Sequence, residues 1–256
     1  VTEHDGFGVA IADGVARITL DVPGKLNRIS MLAREQLARV FDELGGDDAV
    51  RAVVLNGAGE TFTAGGDIAS FLERPAEELS RLAWNVAAPE RCPKPVVAEL
   101  RGYVFGVGLE LALACDFRLA AEDVQLALPE IRLGMIPGSG GTQRLARLIG
   151  LGRAKDVIMR GRRIGGDEAL ALGLVTEVVP AEGLDAAVTR LLDELAELPP
   201  VALAMAKRVL NQAYDAPLHV GLEVEGFAYG LLRSTHDFQE GVEAFGEKRK
   251  PKFEGR

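Results

Sequence analysis

The chain has 256 residues, 48% hydrophobic and 26% charged, with a formal net charge of −9. This is the composition of a globular protein of one large domain, or one domain with an appendage. The acidic balance argues against broad nucleic-acid binding, and no apolar run reaches the ~20 residues of a membrane span.

The N-terminal stretch VTEHDGFGVAIADG has no basic region followed by an apolar core, so no signal peptide is expected. The two cysteines, Cys92 and Cys115, form no CxxC pair. With only two, a disulfide framework or a zinc cluster is not expected, and a cytoplasmic location is.

Residues 7–20 read as two alternating runs around Asp13-Gly14, a hairpin signal. A loop with Pro23 and Gly24 follows, and then a helix over 31–44 with Ala33, Leu37, Val40, Phe41 and Leu44 on one face and Gly45 as its stop. Residues 51–57 (RAVVLNG) read as a buried strand and 57–67 as a loop. Pro75 opens a predicted helix over 75–90. Residues 94–100 (KPVVAEL) read as a strand ahead of a glycine loop at 102–108, and 109–115 (LELALAC), apolar all round, as a buried helix. Two short strands are expected at 116–123 and 124–128.

A helix is then predicted from Ser139 to Ile149, with further helices at 151–160 and 167–172 and a strand at 174–179. Beyond Pro180 the pattern is helical throughout: 181–197, 201–213, 217–234 and 236–248. Strands alternating with helices, followed by helices alone, predict an α/β core with a helical C-terminal region. No internal repeat is visible in the sequence.

Familiar catalytic motifs are missing. There is no Walker-type phosphate loop. Ser139 lies in PGSGG rather than G-x-S-x-G, which makes it a poor nucleophile. His4, His219 and His236 lie far in sequence from the glycine loops.

Glutamate chemistry remains. Glu110 lies just inside an apolar helix with a glycine-rich start, and Glu130 follows Pro129 in LALPEIRLG. Burial raises a carboxyl pKa and a helix N-terminus lowers it, so a group between these pulls suits acid–base work near neutrality. The competing reading of Glu110 is an ion pair with Arg101, Arg118 or Arg132; that of Glu130 is a surface loop or a charge at a helix start. The loops TAGGD (63–67) and 102–108 both follow strands, and unpaired N–H groups from two such loops can form an oxyanion hole. Either loop alone could simply be a tight turn. FGEKRKPKF (245–253) is the one basic cluster, readable as a solvated helix end or as a phosphate contact.

Four segments in order, FTAGGDI (62–68), KPVVAELRGYVFGVGLELALACDFRLA (94–120), LPEIRLGMIPGSGGTQRL (128–145) and FGEKRKPKF, resemble the enoyl-CoA hydratase/isomerase (crotonase) superfamily over essentially the whole chain. The resemblance implies a spiral of ββα units over residues 1–195 and a C-terminal helical region, 196–256, that forms trimers, which usually stack into hexamers. It implies an acyl-CoA thioester substrate, with coenzyme A as part of that substrate and no metal or redox cofactor.

By motif position it assigns the oxyanion hole to the N–H groups of Ala64 and Val107. It makes Glu110 mainly the base toward water and Glu130 mainly the acid toward C2 in the hydration of a 2-enoyl-CoA. Lys25, Arg28, Phe245 and Lys248 become candidates for holding CoA, the last two from another subunit. Two positions depart from the family pattern: Val107 stands where glycine is frequent, and Arg28 in Asn27-Arg28-Ile29 where a small residue is common. Within the same fold an isomerase, or another acyl-CoA lyase or hydrolase, is the alternative. Outside that class the alternative is a non-catalytic acyl-CoA- or RNA-binding relative.

Overall fold

The computed structural model describes residues 1–256. Three strands open it: β1 (Thr2–His4), β2 (Phe7–Ala12) and β3 (Val15–Leu20). The β2–β3 hairpin turns on Asp13 (φ 51°) and Gly14 (φ 77°), the two left-handed residues of a two-residue hairpin turn that matches strand twist. Helix α1 (Met31–Gly46) starts at Ser30, whose Oγ accepts the Ala33 N–H at 2.9 Å. It runs through Gly45, two residues past its expected end.

Strand β4 (Ala52–Gly57) follows. The helix expected over 75–90 is instead three short ones, α2 (Ala76–Leu79), α3 (Leu82–Val86) and α4 (Ala88–Arg91), preceded by a 3₁₀ turn at Ile68–Glu73. The breaks have local causes. The Ser80 hydroxyl donates to the Glu77 carbonyl at 2.7 Å and competes with the helical ladder. Pro89 has no N–H to continue it.

The centre of the chain holds β5 (Val96–Leu100), β6 (Tyr103–Phe105), α5 (Val107–Ala114), β7 (Phe117–Ala121) and β8 (Gln125–Ala127). A 3₁₀ turn at Glu130–Leu133 leads to α6 (Gly141–Ile149), α7 (Leu151–Arg160), β9 (Arg163–Gly165), α8 (Gly166–Ala171) and β10 (Glu177–Val179). Four helices close the chain: α9 (Leu184–Ala196), α10 (Pro200–Asn211), α11 (Leu218–Leu232) and α12 (His236–Glu247).

One sheet has the order β1-β2-β3-β4-β5-β7-β10, antiparallel among its first three strands and parallel from β3 onward. A second, smaller sheet runs β6-β8-β9. The chain leaves the large sheet at β5 and β7, enters the small one at β6 and β8, and then turns into helices. This is the repeated strand–strand–helix unit that the family resemblance implies. Every residue of β5 is buried, as suits a parallel central strand covered on both faces. Its Glu99 is tolerated because Arg17 and Arg101 each reach its carboxylate at 2.8 Å.

The main core lies between α1, the large sheet and the all-buried α5. Helix α9 seals the other face of the large sheet through Leu184, Ala187, Val188 and Leu192. Beyond it, α10 buries no residue fully and α11 only Ala228. No helix is long and apolar enough to cross a membrane.

Candidate active site

Both glycine loops reach the same place. Gly106 (φ 53°, ψ −125°) occupies backbone space open only to glycine, and it swings the chain from β6 straight into α5. Gly108 lets α5 press onto the first loop: a Cβ there would lie 2.2 Å from Thr63 Cγ2. A parallel bridge between Thr63 and Val104 ties the loops further.

The first loop corrects one expectation from the sequence. The Ala64 N–H donates to the Leu26 carbonyl at 2.9 Å, so it is not free to hold a thioester oxygen. The loop docks on residues 26–29 through alternate groups: Ile29 N–H donates to the Gly65 carbonyl at 2.9 Å and Asp67 N–H to the Ile29 carbonyl at 3.1 Å. Between these contacts the Gly66 N–H has no partner. Gly66 lies beside Val107, since a Cβ built on it would be 3.7 Å from Val107 Cγ1. The Val107 N–H, the first of α5, is likewise unpaired. The structure therefore brings Gly66, not Ala64, together with Val107.

The two glutamates face this loop pair from different surroundings. Glu110 is 2% exposed, and its Oε1 accepts N–H bonds from Ser139 (2.7 Å) and Gly141 (2.9 Å). The positive helix end that serves Glu110 is thus that of α6, not of its own helix. None of the three arginines offered as a structural partner reaches it. Arg101 pairs with Glu99 and Asp185. Arg118 donates to the carbonyls of Leu174, Ala112 and Cys115, and Arg132 to those of Gly161 and Arg160.

Glu130 sits at the start of its 3₁₀ turn, with Oε1 3.0 Å from where a Cβ on Gly106 would be, and its buried Oε2 has no partner. Burial pushes its pKa up to about 7, and the nearby Glu110 charge adds to the rise, against its own backbone amide and Arg34.

Sequence reasoning missed Arg34. It is 4% exposed, stacks over the Phe71 ring at 5.2 Å, and donates from Nη1 to Ser139 Oγ at 3.3 Å. Its Nη2 is 2.6 Å from where a Cβ on Gly66 would stand. The signal was available: with Met31, Ala38 and Phe41 it shares the buried stripe of α1, a lone charge at apolar spacing.

Lys25 and Arg28 line a polar cleft of ≈ 310 Å³ that also holds Asp5, Asp21 and Asp67, and Arg28 lies 3.8 Å from Asp67. The loop carrying them is pinned by buried Asn27 (φ 54°), whose Nδ2 donates to the carbonyls of Ala58 (2.9 Å) and Thr61 (2.8 Å). Phe245 and Lys248 lie elsewhere, at the end of α12. Phe245 is 88% exposed over a groove formed by residues of α10–α12 and the C-terminus, and Lys248 caps the helix at φ 56°. In the basic cluster Arg249 and Lys250 are ion-paired, to Glu240 and Glu197. His4 stacks on Phe7 in the first strands, and His219 and His236 lie on α11 and α12.

The fold thus gathers two glycine loops with unpaired N–H groups and two glutamates in unlike surroundings into one place. The model of the enoyl-CoA hydratase/isomerase family matches residues 10–256, and the chain belongs to that family. It is 36% identical to a short-chain-enoyl-CoA hydratase of Clostridium acetobutylicum, over 92% of each chain. It is 34% identical to a 2,3-dehydroadipyl-CoA hydratase of Escherichia coli, over 94% of this chain and 96% of that one. A crystal structure of enoyl-CoA hydratase from Bacillus anthracis superposes with a TM-score of 0.91 at 38% identity, covering 98% of this chain and all of that one.

Proposed function

We propose that the protein adds water across the C2–C3 double bond of a 2-enoyl-CoA thioester, giving the 3-hydroxyacyl-CoA. The observation that carries this reading is the pair of glutamates in unlike surroundings. Glu110 is anchored by two backbone N–H groups, those of Ser139 and Gly141, which fix its Oε1 in place. Glu130 is raised to about 7 with a free Oε2, and so keeps a proton near neutrality. Glu110 takes the proton of the attacking water, and Glu130 delivers one to C2. Negative charge growing on the thioester oxygen as C3 is attacked is held by the N–H groups of Gly66 and Val107, each worth roughly 3 kcal/mol to the transition state.

Coenzyme A is part of the substrate, and the chemistry calls for no further cofactor. Lys25 and Arg28 offer positive charge to its phosphates from the polar cleft. Phe245 and Lys248 of a neighbouring copy complete the contact. The exposed apolar side chains of α11 and α12, among them Phe227 (79%), Tyr229 (75%) and Phe245 (88%), support association of copies into a trimer or a hexamer of two trimers. An isomerase moving a double bond from C3 to C2 needs only one carboxylate, so two in one site favour hydration.

The test is turnover of short, long and branched 2-enoyl-CoA esters by the purified protein and by E110Q and E130Q. Hydration that both variants cut by about 100-fold or more supports the reading. Hydration that survives both substitutions removes the glutamates from the mechanism.

A further inference from the structure

Two buried side-chain polar atoms in the chain have no hydrogen-bond partner, and both are in this site: Arg34 Nε and Glu130 Oε2. Arg34 comes from α1, an element that supplies neither glycine loop nor glutamate. Burying a guanidinium in an apolar helix face is unfavourable, and a residue kept only for packing there is better apolar. The guanidinium makes one long side-chain hydrogen bond, to Ser139 Oγ, and that same residue's N–H holds Glu110 Oε1. Its other flank lies against Gly66 and the Phe71 ring.

We propose that Arg34 is a positioning residue: linked through Ser139 to Glu110, it places a buried positive charge in the site, and that charge governs the pH at which Glu130 gives up its proton. The charged groups whose fields reach Arg34 are Glu110 on α5 and Glu130 on the 3₁₀ turn, and those that reach Glu130 are Glu110 and Arg34. Asp67, on the first glycine loop, is engaged by Arg28. Burial lowers the Arg34 pKa to about 10, so it stays charged at neutral pH. Without Arg34 the site loses the positive charge that lowers the Glu130 pKa, and Glu130 holds its proton to higher pH. Ser139, dismissed as a nucleophile, gains a role as the link: its Oγ holds the cation and its N–H the anion.

The kinetic meaning of this arrangement rests on the hydratase reading, but the charge arrangement is measurable without turnover. The experiment is an infrared pH titration of the protonated-carboxyl C=O stretch in the intact protein, with E130Q identifying the Glu130 band. In the wild type the band should disappear with a midpoint near 7. In R34Q, which keeps polarity and loses charge, the midpoint should rise above the wild-type value. R34M makes the same comparison should the glutamine not be accommodated. R34K, which restores the charge, should return the midpoint toward the wild type.

A folded R34Q or R34M that titrates at the wild-type midpoint overturns the proposal, as does an R34K midpoint as high as that of R34Q. Where the protein hydrates an enoyl-CoA, the alkaline limb of kcat/KM should move up with the band, which a merely structural role would not cause. If no ester is hydrated but the band moves as described, the reaction is wrongly assigned and the role of Arg34 stands.

Discussion

Replacing Glu130 by glutamine should stabilise the protein above neutral pH and leave its stability unchanged at the acid end. The carboxyl rises from an ordinary 4.5 to about 7, and each pH unit corresponds to about 1.4 kcal/mol. Because the folded-state value lies above the unfolded one, the contribution to stability is fully present below pH 4.5 and is lost as pH rises through about 7. Full ionisation then costs the folded chain up to roughly 3 kcal/mol. The side chain is only partly buried, and solvent screening brings the figure to about 1–2 kcal/mol. E130Q cannot ionise and escapes the loss. Chemical denaturation or thermal melts of both proteins across this pH window provide the assay, with an expected gain of about 2–8 °C at the alkaline end. No gain there, or an equal gain at both ends, would refute a carboxyl held neutral by its surroundings.

Val107→Pro keeps the first position of α5 helical and removes its N–H. It should lower kcat about 100-fold without unfolding the protein, and an unchanged kcat would take this N–H out of the oxyanion hole. The rate of hydration should fall as pH passes about 7, where Glu130 loses its proton; a rate flat through that pH places the acid elsewhere. Lys248→Ala should weaken binding of a CoA ester and leave the melting temperature unchanged, and equal affinity would remove Lys248 from the site.

Most of the fold was legible because its signals are local. Asp13-Gly14 fixes a hairpin, the apolar stripe of 31–44 a helix, and 109–115 a helix buried on all sides. What failed depended on strand pairing or on local competitors of the helical ladder. Strands β1, β6 and β9 are three residues each and exist only through pairing. The pieces of 76–91 broke where Ser80 and Pro89 offered alternatives to the helical ladder.

At the site, the sequence located both loops and both glutamates, but not which N–H is free. That depends on the docking of residues 63–67 against 26–29, which occupies Ala64 and frees Gly66. Nor did it place Glu110 at the start of α6, because Ser139 and Gly141 lie 29 and 31 residues further along the chain. Arg34 escaped notice because a charge on a helix is ordinarily assigned to its solvent side.

The central claim is that water, not just a proton, is added to the acyl chain under the control of two glutamates. The most direct measurement is reaction of a 2-enoyl-CoA with the purified protein in heavy-oxygen water, followed by mass analysis of the product. The account predicts one heavy oxygen, on C3, acquired rapidly by the wild type and at most slowly by E110Q. A product without the label, or labelling as fast in E110Q as in the wild type, would contradict it.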